Sequence, residues 1–208
     1  MSFFLLMSNS FLLRRTYRQA RRDLPRHLQH QHSQAVAGWL AHLPQFRSAR
    51  RIAAYLAMDG ELDPAPSVAQ AGRWGKQLFF PKLRPRPWRK LWFLPSVDAN
   101  RLKKNRFGIL EAPLGFKAAL PPWALDMILV PLVAFDDQCH RLGMGGGYYD
   151  RTLAYLRHRH HWTKPLLVGV AHEVQKVPHL ASRPWDVRLD IVVTEAGIYR
   201  SPSRRTSS

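Results

Sequence analysis

The sequence predicts an α/β fold, a three-layer Rossmann-like sandwich with a mostly parallel sheet and helices on both faces. Two observations carry this. Short apolar runs at 127–135 (MILVPLVAF), 166–171 and 190–194 have the length and composition of strands buried on both sides. They alternate with stretches of helical periodicity, the pattern of a parallel sheet whose crossovers are helices. With 208 residues, 46% of them apolar, the chain can bury one sizeable core. The expected organisation is a ragged extension over 1–13, a single domain over 14–200 and a disordered tail, SPSRRTSS, over 201–208.

From the N-terminus, residues 11–43 contain no glycine except Gly38, and apolar residues recur at near-helical spacing through Leu12, Tyr17, Leu24, Leu28, Ala35, Trp39 and Leu43. One long helix is expected, interrupted at Pro25. Arg14, Arg18 and Arg22 stand at i, i+4, i+8 and share a face, which on spacing alone could be simply a solvated basic face. Residues 51–58 (RIAAYLAM) read as a strand that ends in the Asp59-Gly60 turn. A helix follows, with Asp63 as cap and Pro64 in its first position. Residues 77–83 and 90–95 are strands joined as a hairpin or edge connection through RPRPWR. Residues 148–159 read as the helix after the glycine block described below.

Lysine and arginine number 32 against 14 acidic residues, a net charge of +18 with a pI near 11.1. Such a field attracts polyanions, whether nucleic acid, phosphorylated cofactors or polyglutamylated molecules. No apolar run reaches the about 18 residues of a membrane helix. The start MSFFLLMSNSFLLRR has no positive charge before its apolar part and no small-residue cleavage site after it, so a secretion signal is not expected, and Met7 is an alternative start. The lone Cys139 cannot form an internal disulfide, which fits a reducing cytoplasm.

The most informative block is PLVAFDDQCHRLGMGGGYYDR, residues 131–151. A buried strand ends, a turn follows, and Gly143, Gly145, Gly146 and Gly147 precede a helix. Glycines let the backbone approach a ligand with several N–H groups inward, and the helix N-terminus adds positive potential, so the product is an anion site. The block lacks the GK[ST] ending of a Walker motif and the register of the dinucleotide fingerprint. A structural tight turn is the competing reading. The position beyond a strand end, with Arg141 before and Asp150 after, favours the ligand loop. The histidines His158, His160 and His161 have no metal-ligand spacing.

RLGMGGGYYDR after PLVAFD, with YLAMDGELD at 55–63 and WDVRLDIVVT at 185–194, resembles the 5-formyltetrahydrofolate cyclo-ligase (5,10-methenyltetrahydrofolate synthetase) family in its bacterial form. The resemblance runs over about residues 14–195. It implies an ATP- and Mg²⁺-dependent ligase that converts 5-formyltetrahydrofolate to 5,10-methenyltetrahydrofolate, releasing ADP and phosphate. The formyl oxygen attacks the γ-phosphate, and N10 then attacks the activated carbon as phosphate leaves. Such chemistry needs an electrostatic cradle more than a protein nucleophile.

The resemblance also implies site residues. Arg141, Tyr148 and Asp150 are the implied catalytic residues. ATP would be held by Arg14, Arg18, Arg141, Leu142, Gly143, Met144, Gly145, Gly146, Gly147, Tyr148 and Tyr149. Leu56, Glu61 and Tyr148 would contact the folate, Glu61 by accepting from the pterin's donor pair. Asp150 and Asp186 would be the magnesium-side carboxylates. Each has a plainer alternative: a helix-start acid for Asp150, a polar strand approach for Asp186, an exposed turn acid for Glu61, and core packing for Leu56 and Tyr148. Many members have lysine at the position of Arg14, and Arg15 is an alternative register. Some carry basic residues in place of Met144 and Gly146, so here backbone amides and Arg141 carry the loop's grip. Asn105, Gly108 and Glu111 match a further family segment whose role is underived.

The expected partner is therefore a small molecule, 5-formyltetrahydrofolate with or without a polyglutamate tail, bound by a monomer; neither a membrane nor a nucleic acid is expected. Two rival readings stay open. Trp74, Trp88 and Trp92 beside Arg86 and Lys90 suit a nucleic-acid-binding protein, although no recognition motif is present. A non-catalytic relative that binds folate without turning it over is the other.

Overall fold

A computed structural model describes residues 2–84, 89–96, 103–104, 110–111, 116–158 and 164–202. Asn105, Gly108, Arg86, Trp88, His160, His161 and residues 203–208 of the tail lie outside the described residues. The elements in order are α1 (Ser2–Arg22), α2 (Arg26–His42), α3 (Pro44–Ser48), β1 (Arg51–Ala53), α4 (Ala65–Arg73), β2 (Gln77–Leu83) and β3 (Leu91–Pro95). A two-residue pair, β4 (Lys103–Lys104) and β5 (Leu110–Glu111), precedes β6 (Met127–Pro131). Then come β7 (Ala134–Phe135), β8 (Arg141–Leu142), α5 (Tyr148–Leu153), β9 (Leu166–Val170), β10 (Ile191–Thr194) and β11 (Gly197–Arg200).

The seven-stranded sheet has the order β11-β10-β9-β6-β1-β2-β3. The five inner strands are parallel, and the edges β3 and β11 run antiparallel. Alternate side chains of β6 face opposite layers. Met127 and Leu129 pack with Val36 and Leu40 of α2, whereas Ile128 and Val130 pack with Leu153 of α5 and with Phe93. All eight are at most 1% exposed, so each contributes about 1.5–3 kcal/mol of burial. This two-sided burial is why the run reads as continuously apolar.

Departures from the sequence reading have local causes. The long helix is split because Pro25 has no N–H and stands as the cap of α2. α1 begins at Ser2, within the stretch expected to be ragged. Strand β1 stops at Ala53, and residues 54–58 leave the sheet edge. The first residue of α4 is Ala65, whose N–H donates to Asp63 Oδ1 at 2.9 Å, with Pro64 one position before the helix. The run 127–135 divides into β6 and β7, and β7 pairs antiparallel with β8. The helix expected over 148–159 is a six-residue α5 that tightens into a 3₁₀ turn over Ala154–His158.

Strand β1 sends its crossover to β2 on one side, and β6 sends its own to β9 on the other. The strand order therefore reverses between β1 and β6, and the crevice beyond their carboxyl ends is where open α/β sheets bind ligands. No described helix is long and apolar enough to cross a membrane. The lone Cys139 is buried, and that burial pushes its thiol up to about 11, so it is inert at neutral pH.

Candidate active site

A cleft of about 1000 Å³ opens at this reversal point. One wall is the chain leaving β1, with Tyr55, Leu56, Met58 and Glu61; the opposite wall is the glycine loop from Gly143 to Gly147 with Tyr148, Tyr149 and Asp150. Ser10, Leu13 and Arg14 of α1 with Arg183, Trp185 and Asp186 complete the rim.

The loop is held from behind. Arg14 Nε donates to the Gly143 carbonyl at 2.9 Å, and its guanidinium lies 3.6 Å from where a side chain on Gly145 would begin. Arg151 donates to the Gly146 carbonyl and stacks on Tyr148, 5.3 Å from the ring centre. Gly147 starts α5 in the left-handed region at φ 62°, and a Cβ there would stand 2.7 Å from Arg151 Nη1. With carbonyls turned back onto arginines, the loop leaves its amides as the natural anion donors. Because α5 has only six residues, these amides and the surrounding cations supply more of the positive potential than the helix dipole does. Thr152 accepts from the Leu91 N–H and donates to the Tyr148 carbonyl, both at 2.7 Å, which fixes α5 against β3.

Arg141 Nη2 donates to Asp150 Oδ1 at 2.6 Å, with the arginine side chain 4% exposed and the aspartate 26%. Asp150 Oδ1 also accepts from Val187 N–H at 3.3 Å. Asp186 Oδ2 accepts from Arg183 N–H at 2.9 Å. Both carboxylates line the cleft beside the glycine loop, each with its second oxygen free of hydrogen bonds among the described residues.

At the other wall, the turn Asp59-Gly60 carries positive φ at both residues, 57° and 72°, and a Cβ on Gly60 would stand 3.1 Å from the Arg21 carbonyl. This close approach sets Asp59 under three arginines. Arg18 Nε donates to Asp59 Oδ2 at 2.8 Å and Arg21 Nη2 at 3.0 Å, while Arg22 binds Oδ1. Burial alone would raise the Asp59 carboxyl, but hydrogen bonds from Arg18 and Arg22 hold it below its usual range. Arg21 is fully buried. It also donates to the carbonyls of Asp59 and Leu132, at 2.9 and 3.1 Å, and stands 3.6 Å from Glu61 Oε1.

Glu61 accepts weakly from Met58 N–H at 3.3 Å. Burial raises its carboxyl to about 7, against the lowering charge of Arg21. It is therefore poised between acid and anion at neutral pH. The Tyr149 phenol is pushed up by burial and by Glu61, so it stays a protonated donor.

The residues implied from sequence are thus gathered in one cleft, apart from Arg18. Arg18 is 35% exposed and spends its Nε on Asp59 rather than on the loop. Leu142 lines the cleft and packs, as Leu13 and Tyr17 do, against Ala134, Val177 and Leu180, and Met144 is half-exposed over Arg21. Sequence reading missed Arg21, Arg151 and Arg183. Arg151 adjoins the glycine block directly, a signal that was available; the importance of Arg21 depends on its contact with a turn 38 positions away.

The 5-formyltetrahydrofolate cyclo-ligase family model matches residues 7–195. The 5-formyltetrahydrofolate cyclo-ligase of Escherichia coli (strain K12) is 40% identical over 182 residues, which cover 88% of this chain and 98% of that one. The enzyme of the same name from Haemophilus influenzae is 37% identical, covering 87% of this chain and 95% of its own. The NMR structure of Aquifex aeolicus 5,10-methenyltetrahydrofolate synthetase superposes with a TM-score of 0.79 at 31% identity, covering 96% of both chains. The cleft at the strand reversal, its arginine-backed glycine loop and these matches together place the chain in the 5-formyltetrahydrofolate cyclo-ligase family.

Proposed function

We propose that this chain uses ATP to cyclise 5-formyltetrahydrofolate to 5,10-methenyltetrahydrofolate, with release of ADP and phosphate. The observation that carries the reading is the cleft itself. One wall offers backbone amides and arginines to phosphates; the facing wall offers a buried carboxylate and apolar side chains to a flat heterocycle. The amides of Gly143 to Gly147 would bind the phosphates, with Arg14 bracing the loop and Arg141 supplying a fixed cation. Glu61 would accept the pterin's paired donors, and Leu56, Leu83 and Leu91 would pack against the rings. Such a pose would bring the formyl oxygen toward the γ-phosphate, so that attack and ring closure would occur between substrates held in line. The residual positive charge of three arginines around Asp59 favours entry of an anionic folate, with or without a polyglutamate tail.

Asp150 and Asp186 would form a donor set suited to Mg²⁺: two hard carboxylates, each with one oxygen uncommitted among the described residues, beside the glycine loop. When bound, the ion would neutralise charge moving between phosphate oxygens. A cytoplasmic monomer is the accompanying proposal.

Incubation of purified protein with ATP, Mg²⁺ and 5-formyltetrahydrofolate should generate the methenyl product, followed by its near-ultraviolet absorbance. Folate binding without turnover would instead support the non-catalytic reading. Steeply salt-dependent RNA or DNA binding, indifferent to ATP, would support the nucleic-acid reading.

The state of Glu61 makes a second test. Its folded-state carboxyl sits at about 7 against an ordinary 4.5. Between those values the folded protein binds more protons than the unfolded chain, so this group lowers stability as pH rises from 4.5 to 7, and the loss levels off above that. Glu61→Gln should therefore stabilise the protein by about 2–4 kcal/mol at pH 8.5 and by little at pH 4.5. The same variant should raise KM for folate about tenfold or more while leaving KM for ATP nearly unchanged. Urea titrations at the two pH values and paired KM measurements check this; equal loss of both substrates would assign Glu61 a structural role.

A further inference from the structure

Outside the cleft, at the carboxyl edge of the sheet on the α2 side, His32, His172 and Glu195 each bring one ligand atom within 4.8 Å of the others. His32 projects from α2, His172 follows β9, and Glu195 follows β10. His32 Nδ1 lies 3.0 Å from His172 Nδ1 and 3.3 Å from Glu195 Oε1. Spacing along the chain could not reveal this group, because its members come from three separate elements.

Two arrangements could explain such convergence. In a hydrogen-bonded one, a proton on His32 Nδ1 points at His172 or at Glu195 but cannot serve both with good geometry. In a metal-bound one, all three lone-pair atoms face a common centre. Tetrahedral bonds of about 2.0–2.1 Å put ligand atoms roughly 3.3 Å apart, close to the two separations from His32, while His172 and Glu195 lie within 4.8 Å of each other.

The surroundings favour the second arrangement. His172 is fully buried, an environment that disfavours a charged imidazole and suits the neutral form that ligates metals. Its other nitrogen, Nε2, is buried with no hydrogen-bond partner among the described residues, the Gly60 backbone lies beside the ring, and the ring also takes part in a capping contact with the Gln175 N–H. Glu195 is already oriented by accepting from Glu173 N–H at 3.0 Å. His32 and Glu195 are 18% and 20% exposed at their side chains, which leaves a path for an ion. Arg21 opposes a cation here, but its charge is engaged by Asp59 and Glu61.

We propose that His32, His172 and Glu195 form a site for one divalent transition cation of the zinc class, clasping α2 to the ends of β9 and β10. Two imidazoles and a carboxylate suit zinc, cobalt or nickel over magnesium, and a water completes the shell. The site is separate from the folate and nucleotide cleft, so its effect is on stability rather than turnover.

Metal-depleted full-length protein titrated with Co²⁺ is expected to develop the visible absorption of a tetrahedral centre with one equivalent, displaced by Zn²⁺. Free Zn²⁺ a hundredfold above its Kd should raise Tm by roughly 5–10 °C. His32→Ala and Glu195→Gln should each abolish both effects while leaving cyclisation, assayed with Mg²⁺ alone, unchanged. Absence of the band and of any Tm rise in the unaltered protein overturns the site. So does a band retained in both variants, including one lost instead in His140→Ala, where Asp136 and His140 stand 3.0 Å apart.

Discussion

Replacing Asp150 by alanine is expected to lower kcat/KM about a thousandfold, a loss of about 4 kcal/mol in transition-state stabilisation, while the fold survives. The size follows from the two duties of this carboxylate. Oδ1 orients Arg141 at 2.6 Å and the segment of Val187 at 3.3 Å. Oδ2 is the oxygen available to a cation beside the phosphate loop. Asp150→Asn separates the two, since an amide oxygen of the same size still accepts from Arg141 but carries no charge. If cation binding dominates, the asparagine variant falls nearly as far as alanine, and raising Mg²⁺ recovers part of the loss. If orienting Arg141 dominates, the asparagine variant keeps most of its activity and does not respond to Mg²⁺. A fully active Asp150→Ala would remove the residue from the mechanism altogether. Circular dichroism and a thermal melt on each variant separate these outcomes from unfolding.

The fold was legible where one physical demand dominates the sequence. Strand β6 must be apolar on both faces, so its identity is written in MILVP, and β9 and β10 follow the same rule. Strand β1 was over-extended because residues 54–58 are as apolar as a strand. Tyr55 is buried and Leu56 lines the cleft, so apolarity there serves the core and the substrate wall rather than a ladder. The edge strand β11 went unread because GIYR is short, and only its pairing with β10 makes it a strand.

At the site, local motifs were visible and tertiary partners were not. The glycine block announced itself through composition. The arginines of α1 were grouped by counting fours, yet a helix turns about 100° per residue, so Arg18 and Arg22 drift about 40° and 80° from Arg14. Arg21, seven positions on, returns to within about 20° of Arg14 and faces the interior beside the cleft. The spacing therefore highlighted Arg18, which is partly exposed, and passed over the buried Arg21. The His32, His172 and Glu195 group was hidden for the same reason: only the fold brings α2 to the ends of β9 and β10.

Arg21 consequently carries the largest expected effect on stability. Arg21→Met should cost about 3–5 kcal/mol in urea unfolding at pH 8, because it removes a buried charge that satisfies two carbonyls and faces two carboxylates. Arg21→Lys should recover little, since one ammonium cannot reach the Asp59 carbonyl, the Asp59 carboxylate and the Leu132 carbonyl together. The cost should also depend on pH with a definite sign. Arg21 lowers the carboxyl of Glu61 against the raising effect of burial, so without Arg21 that carboxyl rises further above about 7. The folded variant then holds its proton to higher pH than the unfolded chain does, and its deficit relative to the unaltered protein widens between pH 6 and pH 9. Asp59 contributes little to this slope, because Arg18 and Arg22 keep it ionised. A deficit below about 1 kcal/mol, or one that narrows as pH rises, would mean that Arg21 packs beside these carboxylates without sustaining their charge.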